Sequence, residues 1–210
     1  MAITLYTNPM SRGRIARWAL EEAGAEYDTV VIDYGPRSPE FLAVNAMGKV
    51  PAIVHDGVVV TECAAICAYL ADAFPDAGLA PPVAARGAYY RWLFFAAGPL
   101  EQAVTSRSMG WDVGDDPQKQ GMLGFGDYDR TIDTLDAAVR VAGDGWLAAD
   151  HFTAADLYVG AHLTWGLQFG SIPKRDAFVA FVARVQAREA AQRANALDDA
   201  LMAESQPAAG

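Results

Sequence analysis

The sequence predicts a small α/β domain followed by an all-α helical domain. Over the first stretch, up to about residue 75, short β-rich runs alternate with helical patterns in the order β-α-β-α-β-β-α. Beyond Pro75, Gly78, Pro81 and Pro82 no strand alternation recurs. A content of 52% hydrophobic and 20% charged residues over 210 positions supplies a core for both parts and excludes global disorder. The expected boundaries are 1–76 for the α/β domain, 77–85 for a linker and 86–210 for the helical domain.

Ile3 to Tyr6 reads as a strand closed by the turn-forming Thr7-Asn8-Pro9. From Ser11 to Ala23 apolar residues recur at helical spacing, with Gly24 as the stop. Tyr27 to Ile32 is a second strand. A loop with Pro36 and Pro39 leads to a short helical piece at Phe41 to Val44. Pro51–Asp56 and Val58–Thr61 are β runs joined at Asp56-Gly57, a hairpin signal, and Glu62 to Phe74 is helical. In the second part, Ala84 to Met109 is apolar nearly all round, which implies burial on more than one side, and Pro99 should kink it. A loop over 110–118 precedes helices at Phe125–Ala142, Thr153–Phe169, Ala177–Gln186 and Ala190–Met202, and the tail SQPAAG should fray. Thr153 with Asp156 three residues on makes a variant capping box, and Phe152 and Leu157 are spaced as its hydrophobic staple. Asp156 is therefore read as structural.

The charge balance excludes several functions. Sixteen Lys and Arg against 26 Asp and Glu give a net charge of −10, which leaves no basic footprint for nucleic acid or an anionic membrane. No apolar run approaches the roughly 18 residues of a membrane span, and the N-terminus lacks a signal-peptide pattern. The expectation is a soluble, cytoplasmic protein. Cys63 and Cys67, four apart on one helix face, do not form a Cys-x-x-Cys pair and read as buried structural thiols. His55, His151 and His162 show no ligand spacing, so no metal is expected.

Three places are able to carry chemistry. Val50-Pro51 opens a strand; the bond is either an ordinary trans proline or a cis one that leaves the Val50 backbone open to a peptide-like ligand. Thr61-Glu62-Cys63 opens a helix after a strand, where backbone N–H groups suit a carboxylate; Glu62 either holds an ammonium or simply complements the dipole. Ser11, at the head of the first helix, is either a plain cap or a hydroxyl that stabilises a thiolate.

LYTNPMSRGRIARWALEEAGAEY, GKVPAIV, TECAAICAYL and FTAADLYVGAHL, taken in order, resemble segments of the cytosolic glutathione S-transferases of the bacterial, serine-type kind. The resemblance covers essentially the whole chain. It implies a thioredoxin-like glutathione-binding domain, a helical domain with the electrophile site, and conjugation of glutathione to small apolar electrophiles. By the same resemblance Ser11 would donate to the glutathione sulfur, with Tyr6 as the alternative and Thr7, Asn8 or Arg12 behind it. Val50 would pair its backbone with the cysteinyl unit, Pro51 would be cis, and Lys49 would contact the glycyl carboxylate. Glu62 would take the γ-glutamyl amine and Cys63 its carboxylate. Here the chain departs from the family, which usually has serine; a thiol is the weaker donor. Glutathione is cosubstrate, and no further cofactor is implied. A homodimer is expected from the resemblance and from the apolar helix at 84–97. Tyr89, Tyr90, Trp92, Phe94 and Phe95 read as core, subunit contact or electrophile floor. The rival readings are a glutathione-dependent peroxide or disulfide reductase, and a non-catalytic carrier of apolar ligands.

Overall fold

The structure is a computed structural model and describes residues 2–111 and 114–205. All of the expected fraying tail except Ser205 lies outside the described residues. The chain divides into two compact units, one of residues up to 79 together with those from 187 on, the other of 80–186.

In the first unit β1 (Ile3–Thr7), β2 (Asp28–Val31), β3 (Ala52–His55) and β4 (Val58–Thr61) form one sheet in the order β2-β1-β3-β4. β1 and β2 run parallel across α1 (Gly13–Ala23), while β3 and β4 make the antiparallel hairpin expected at Asp56-Gly57. Alternation along β1 buries Ile3, Leu5 and Thr7 on one face. Tyr6 turns the other way and stacks on Phe41 of α2 (Pro39–Val44), ring centroids 5.7 Å apart. α1 buries Ile15, Trp18, Ala19 and Leu20 and ends at Gly24, whose φ of 64° suits a residue without a side chain. α3 (Cys63–Ala73) follows β4. α1 starts at Gly13 rather than Ser11, because the Ser11 hydroxyl accepts from Gly13 N–H (3.0 Å) and donates to the Asn8 carbonyl (2.7 Å). Those local bonds keep the preceding residues in a turn. All four β2 residues are exposed, as befits an edge strand.

The second unit is helical throughout its regular elements. The long helix expected from Ala84 is a short 3-10 turn at Val83–Ala85, α4 (Gly87–Phe95), a π turn at Ala96–Leu100 and α5 (Glu101–Ser108). Pro99 sits inside the π turn, whose wider ring accommodates the missing donor. α6 (Pro117–Met122) begins inside the expected loop; Asp116 caps it by accepting from Gln118 and Lys119 N–H, with Pro117 at the first helical position. α7 (Tyr128–Ala142) starts three residues later than expected, where the Asp127 carboxylate accepts from Arg130 N–H. α8 (Ala154–Phe169) and α9 (Asp176–Gln186) complete the unit around Leu135, Leu157, Phe178 and Phe181. Gly160 lets α9 approach closely, since a Cβ there would lie 2.9 Å from Val185. Asp156 is fully buried and accepts from Thr153 N–H (2.9 Å), Thr153 Oγ1 (2.8 Å) and Leu147 N–H (2.7 Å), so the capping box is formed. Burial nevertheless pushes its carboxyl pKa up.

The last helix, α10 (Glu189–Ser205), corrects the expected boundaries: it belongs to the first unit, against α1, and not to the helical one. Ala190, Ala191 and Ala194 are buried, and four arginines fix the docking, one of them Arg14, which reaches Asp199 (2.6 Å). Arg17, 3% exposed, donates to Asp198, which is fully buried (2.9 Å). The Arg188 fork holds both Glu22 oxygens (2.6 and 2.7 Å), and Arg193 reaches Glu21 (3.1 Å). Burial holds the Asp198 carboxyl above its ordinary pKa in spite of Arg17, and lifts Tyr27, which donates to Glu21, to about 12. Among the described residues no helix is long and apolar enough to cross a membrane.

Candidate functional site

Strand register gathers the candidate residues. Tyr6 pairs with Ala52, and Ala52 with Thr61. The next residues outward, Thr7, Pro51 and Glu62, therefore lie side by side at one end of three adjacent strands. The Val50-Pro51 bond is cis. Glu62 is exposed and takes φ +65°, a region that side chains rarely adopt, as the chain turns from β4 into α3. Cys63, the first residue of α3, is buried and points its thiol at the Arg12 carbonyl, 3.7 Å away. The N-terminus of α3 thus lies against the turn that carries Ser11.

Ser11 is half-buried, and its hydroxyl proton is directed at Asn8. Asn8 is buried, and its side chain is engaged at the turn: its amide donates to the Ile32 carbonyl (3.0 Å) and its oxygen accepts from Met10 N–H (2.9 Å). Thr7 is fully buried against Gly13, and its Oγ1 has no hydrogen-bond partner among the described residues. Tyr6, the alternative to Ser11, lies on the opposite face of β1 with its ring against Phe41. Lys49 is exposed, with its carbonyl accepting from Asn45 Nδ2 (2.8 Å). Arg37 donates to the Gly48 carbonyl (2.8 Å) and also to that of Asp33. Asn45 and Arg37 therefore hold the segment leading to Val50. Sequence reasoning passed over both, although an asparagine in turn material was the visible signal for one of them.

A Cβ at position 13 would lie 1.9 Å from Thr7 Oγ1 and 3.1 Å from Ser11 Oγ. Gly13→Ala is therefore expected to disturb this turn and cost about 1–3 kcal/mol, the usual penalty of overpacking. A urea midpoint equal to that of the wild type would mean that Thr7 rotates away without cost.

In the helical unit a cavity of about 640 Å³ is lined by Arg107, Trp111, Phe125 and Tyr128, with Asp115 and Asp127 at its wall. The Arg107 guanidinium lies 4.1 Å from the Tyr128 ring. Of the aromatic run on α4, Tyr89 and Trp92 are buried, Phe95 is half-buried, and Tyr90 and Phe94 are 43% and 69% exposed. Among the described residues no group of three or more His, Cys, Asp or Glu is placed to hold a metal ion.

Residues 1–72 match the family model described as glutathione S-transferase, N-terminal domain. The chain is 34% identical over 76 residues to a probable glutathione transferase of Aplysia californica, spanning 36% of this chain and 78% of that one. It is 28% identical over 168 residues to the glutathione S-transferase GstA of Escherichia coli, spanning 77% of this chain and 81% of that one. A sphingomonad glutathione S-transferase solved in complex with glutathione superposes with a TM-score of 0.75 at 27% identity, covering 93% of this chain and 98% of the other.

Proposed function

This chain belongs to the glutathione S-transferase family, and we propose that it conjugates the thiolate of glutathione to small apolar electrophiles. The observation that carries this reading is the convergence of the Ser11 turn, Val50-Pro51 and Glu62-Cys63 at one end of one sheet. Glutathione is an extended peptide with a central thiol, two carboxylates and an amine. In this reading Val50 offers backbone to the cysteinyl unit, Lys49 faces the glycyl carboxylate, and Glu62 takes the amine. The N-terminal N–H groups of α3, that of Cys63 among them, meet the γ-glutamyl carboxylate, while the Cys63 thiol stays on the Arg12 carbonyl. Ser11 donates to the sulfur and favours the thiolate beside the positive end of α1. No further cofactor enters the reaction. An acidic protein with two buried thiols fits the cytoplasm, the compartment we assign to it.

We read exposed Val83, Tyr90 and Phe94 as the contact of a homodimer, since exposed apolar side chains, two of them with ring centroids 6.4 Å apart, favour cover by a second copy. Light scattering is expected to give twice the 22.4 kDa chain mass; a monomer at micromolar concentration would remove the dimer.

The test of the reaction is incubation with glutathione and a chromogenic aryl halide, followed by mass spectrometry. A thioether product is expected. Oxidised glutathione without thioether, formed when peroxide replaces the halide, would move the chain to the reductase reading. Binding with no turnover of either would leave a carrier.

A further inference from the structure

The turn that carries Ser11 is tied to the far end of the chain. Arg14, on the first turn of α1, donates Nε–H to the carbonyl of the buried Pro9 (2.6 Å). Its Nη2 donates to Asp199 on α10 (2.6 Å) and lies 3.1 Å from Met202 Sδ. One guanidinium therefore bridges the backbone of the Ser11 turn and the C-terminal helix. The Arg14 side chain is only 20% exposed, so its bond to the buried Pro9 is sheltered from water, whereas its partner Asp199 is 66% exposed. One turn on, Arg17 pairs with Asp198, the neighbour of Asp199 on α10, so two arginines on one face of α1 meet two successive carboxylates.

We propose that Arg14 is a positioning residue that locks the Pro9–Arg12 turn onto α10 and so holds that turn in place for the bound glutathione sulfur. The proposal rests on the reading of this turn as the thiol site. Both bonds of the Ser11 hydroxyl go to atoms of its own turn, the Asn8 carbonyl and Gly13 N–H. When its proton swings to a sulfur, the bond to Asn8 is given up and the turn loses an internal brace. Ser11 N–H to the Asn8 carbonyl (3.0 Å), Met10 N–H to Asn8 Oδ1 (2.9 Å) and the Tyr34 hydroxyl to the Met10 carbonyl (2.8 Å) remain, and the Arg14 bond to Pro9, anchored in turn by Asp199, is the brace that ties the turn to α10. α10 thereby acts on the thiolate from outside the residues that touch glutathione.

The experiment compares Arg14→Lys and Asp199→Asn, each alone and in a Ser11→Ala background. The readouts are the bound-thiol pKa from thiolate absorbance, and kcat and KM with an aryl halide. Asp199 is 66% exposed, so its variant folds; denaturant midpoints verify this for all variants. Both single variants are expected to raise the thiol pKa and lower kcat about 3- to 10-fold, with KM for glutathione changed less than about twofold. Lysine keeps the charge and lacks the Nε donor, so a wild-type Arg14→Lys protein would mean that charge alone acts and would overturn the proposal. Asp199→Asn removes a negative charge, which through space would lower the thiol pKa; a fall in place of a rise is a second overturning result. In the Ser11→Ala background the further loss should stay under about twofold, because neighbours in one network are not additive. If Ser11→Ala by itself leaves the pKa unshifted, the Ser11 reading fails. Arg14→Lys then decides separately: a raised pKa supports the tether acting on another group of the turn, and no shift removes it.

Discussion

Ser11→Ala is expected to slow glutathione conjugation about 10- to 100-fold and to raise the pKa of the bound thiol by about one to two units. A thiol of this type has a pKa near 8.5, so at neutral pH only a few per cent is ionised. An enzyme that uses the thiolate must aim donors at the sulfur. The Ser11 hydroxyl sits beside the N-terminus of α1, where the dipole adds to its effect, and a hydrogen bond to a charged acceptor contributes about 1.5–3 kcal/mol. Part of that is offset, because the hydroxyl must leave the Asn8 carbonyl 2.7 Å away. The substitution also removes the acceptor of Gly13 N–H, a capping loss of about 1 kcal/mol in stability. Stability and catalysis separate in the pH–rate profile: a lost cap lowers the unfolding midpoint and leaves the profile in place, whereas a lost sulfur donor moves the profile to higher pH. Glutathione should still bind, since on the proposed reading its contacts are Lys49, Val50 and Glu62, which the substitution leaves untouched. Full activity with an unshifted profile would reduce Ser11 to a cap. Tyr6 would not easily replace it, because its ring is engaged with Phe41 on the other face of β1.

The order of elements in the first unit was legible because period-2 and period-3.6 patterns alternate there between plain turn signals. The candidate site was legible for a related reason: its residues sit in short contiguous motifs at strand ends, so topology alone brings them together. What the sequence hid is long-range or local to single bonds. Helical periodicity shows that α10 has a buried face but not what covers it, and the partner of Arg17 lies 181 residues away. The late start of α1 depends on where one hydroxyl proton points. The roles of Asn8, Asn45 and Arg37 are bonds from side chains to backbone, which have no periodicity to read. α6 is a different case: Asp116-Pro117 is a start signal present in the sequence, inside the stretch read as a loop.

Asp198→Ala is expected to cost about 3–5 kcal/mol of stability, the usual penalty for removing one partner of a buried ion pair. Arg17 and Asp198 are 3% and 0% exposed, so the deletion leaves a guanidinium in the interior with no counter-charge. Its remaining bonds, to Tyr27 Oη (3.2 Å) and Thr29 Oγ1 (3.3 Å), are to neutral groups. The intact pair is itself imperfect. Arg17 Nη2 and Asp198 Oδ2 have no hydrogen-bond partner among the described residues, and burial raises the Asp198 pKa even with Arg17 beside it. Ionising Asp198 inside the fold is therefore unfavourable by itself, and the pair is better understood as fixing where α10 docks than as a source of stability. That distinction has a measurable consequence. The double variant Arg17→Met with Asp198→Leu removes both charges, fills similar volume, and is expected to recover most of the loss, to within about 1–2 kcal/mol of wild type. Urea unfolding of the three proteins gives the energies, and limited proteolysis at the C-terminal helix shows whether α10 has come away in the single variant. A single substitution costing under about 1 kcal/mol would show that water reaches Arg17, and a double variant no better than the single would show that the charges themselves stabilise the fold.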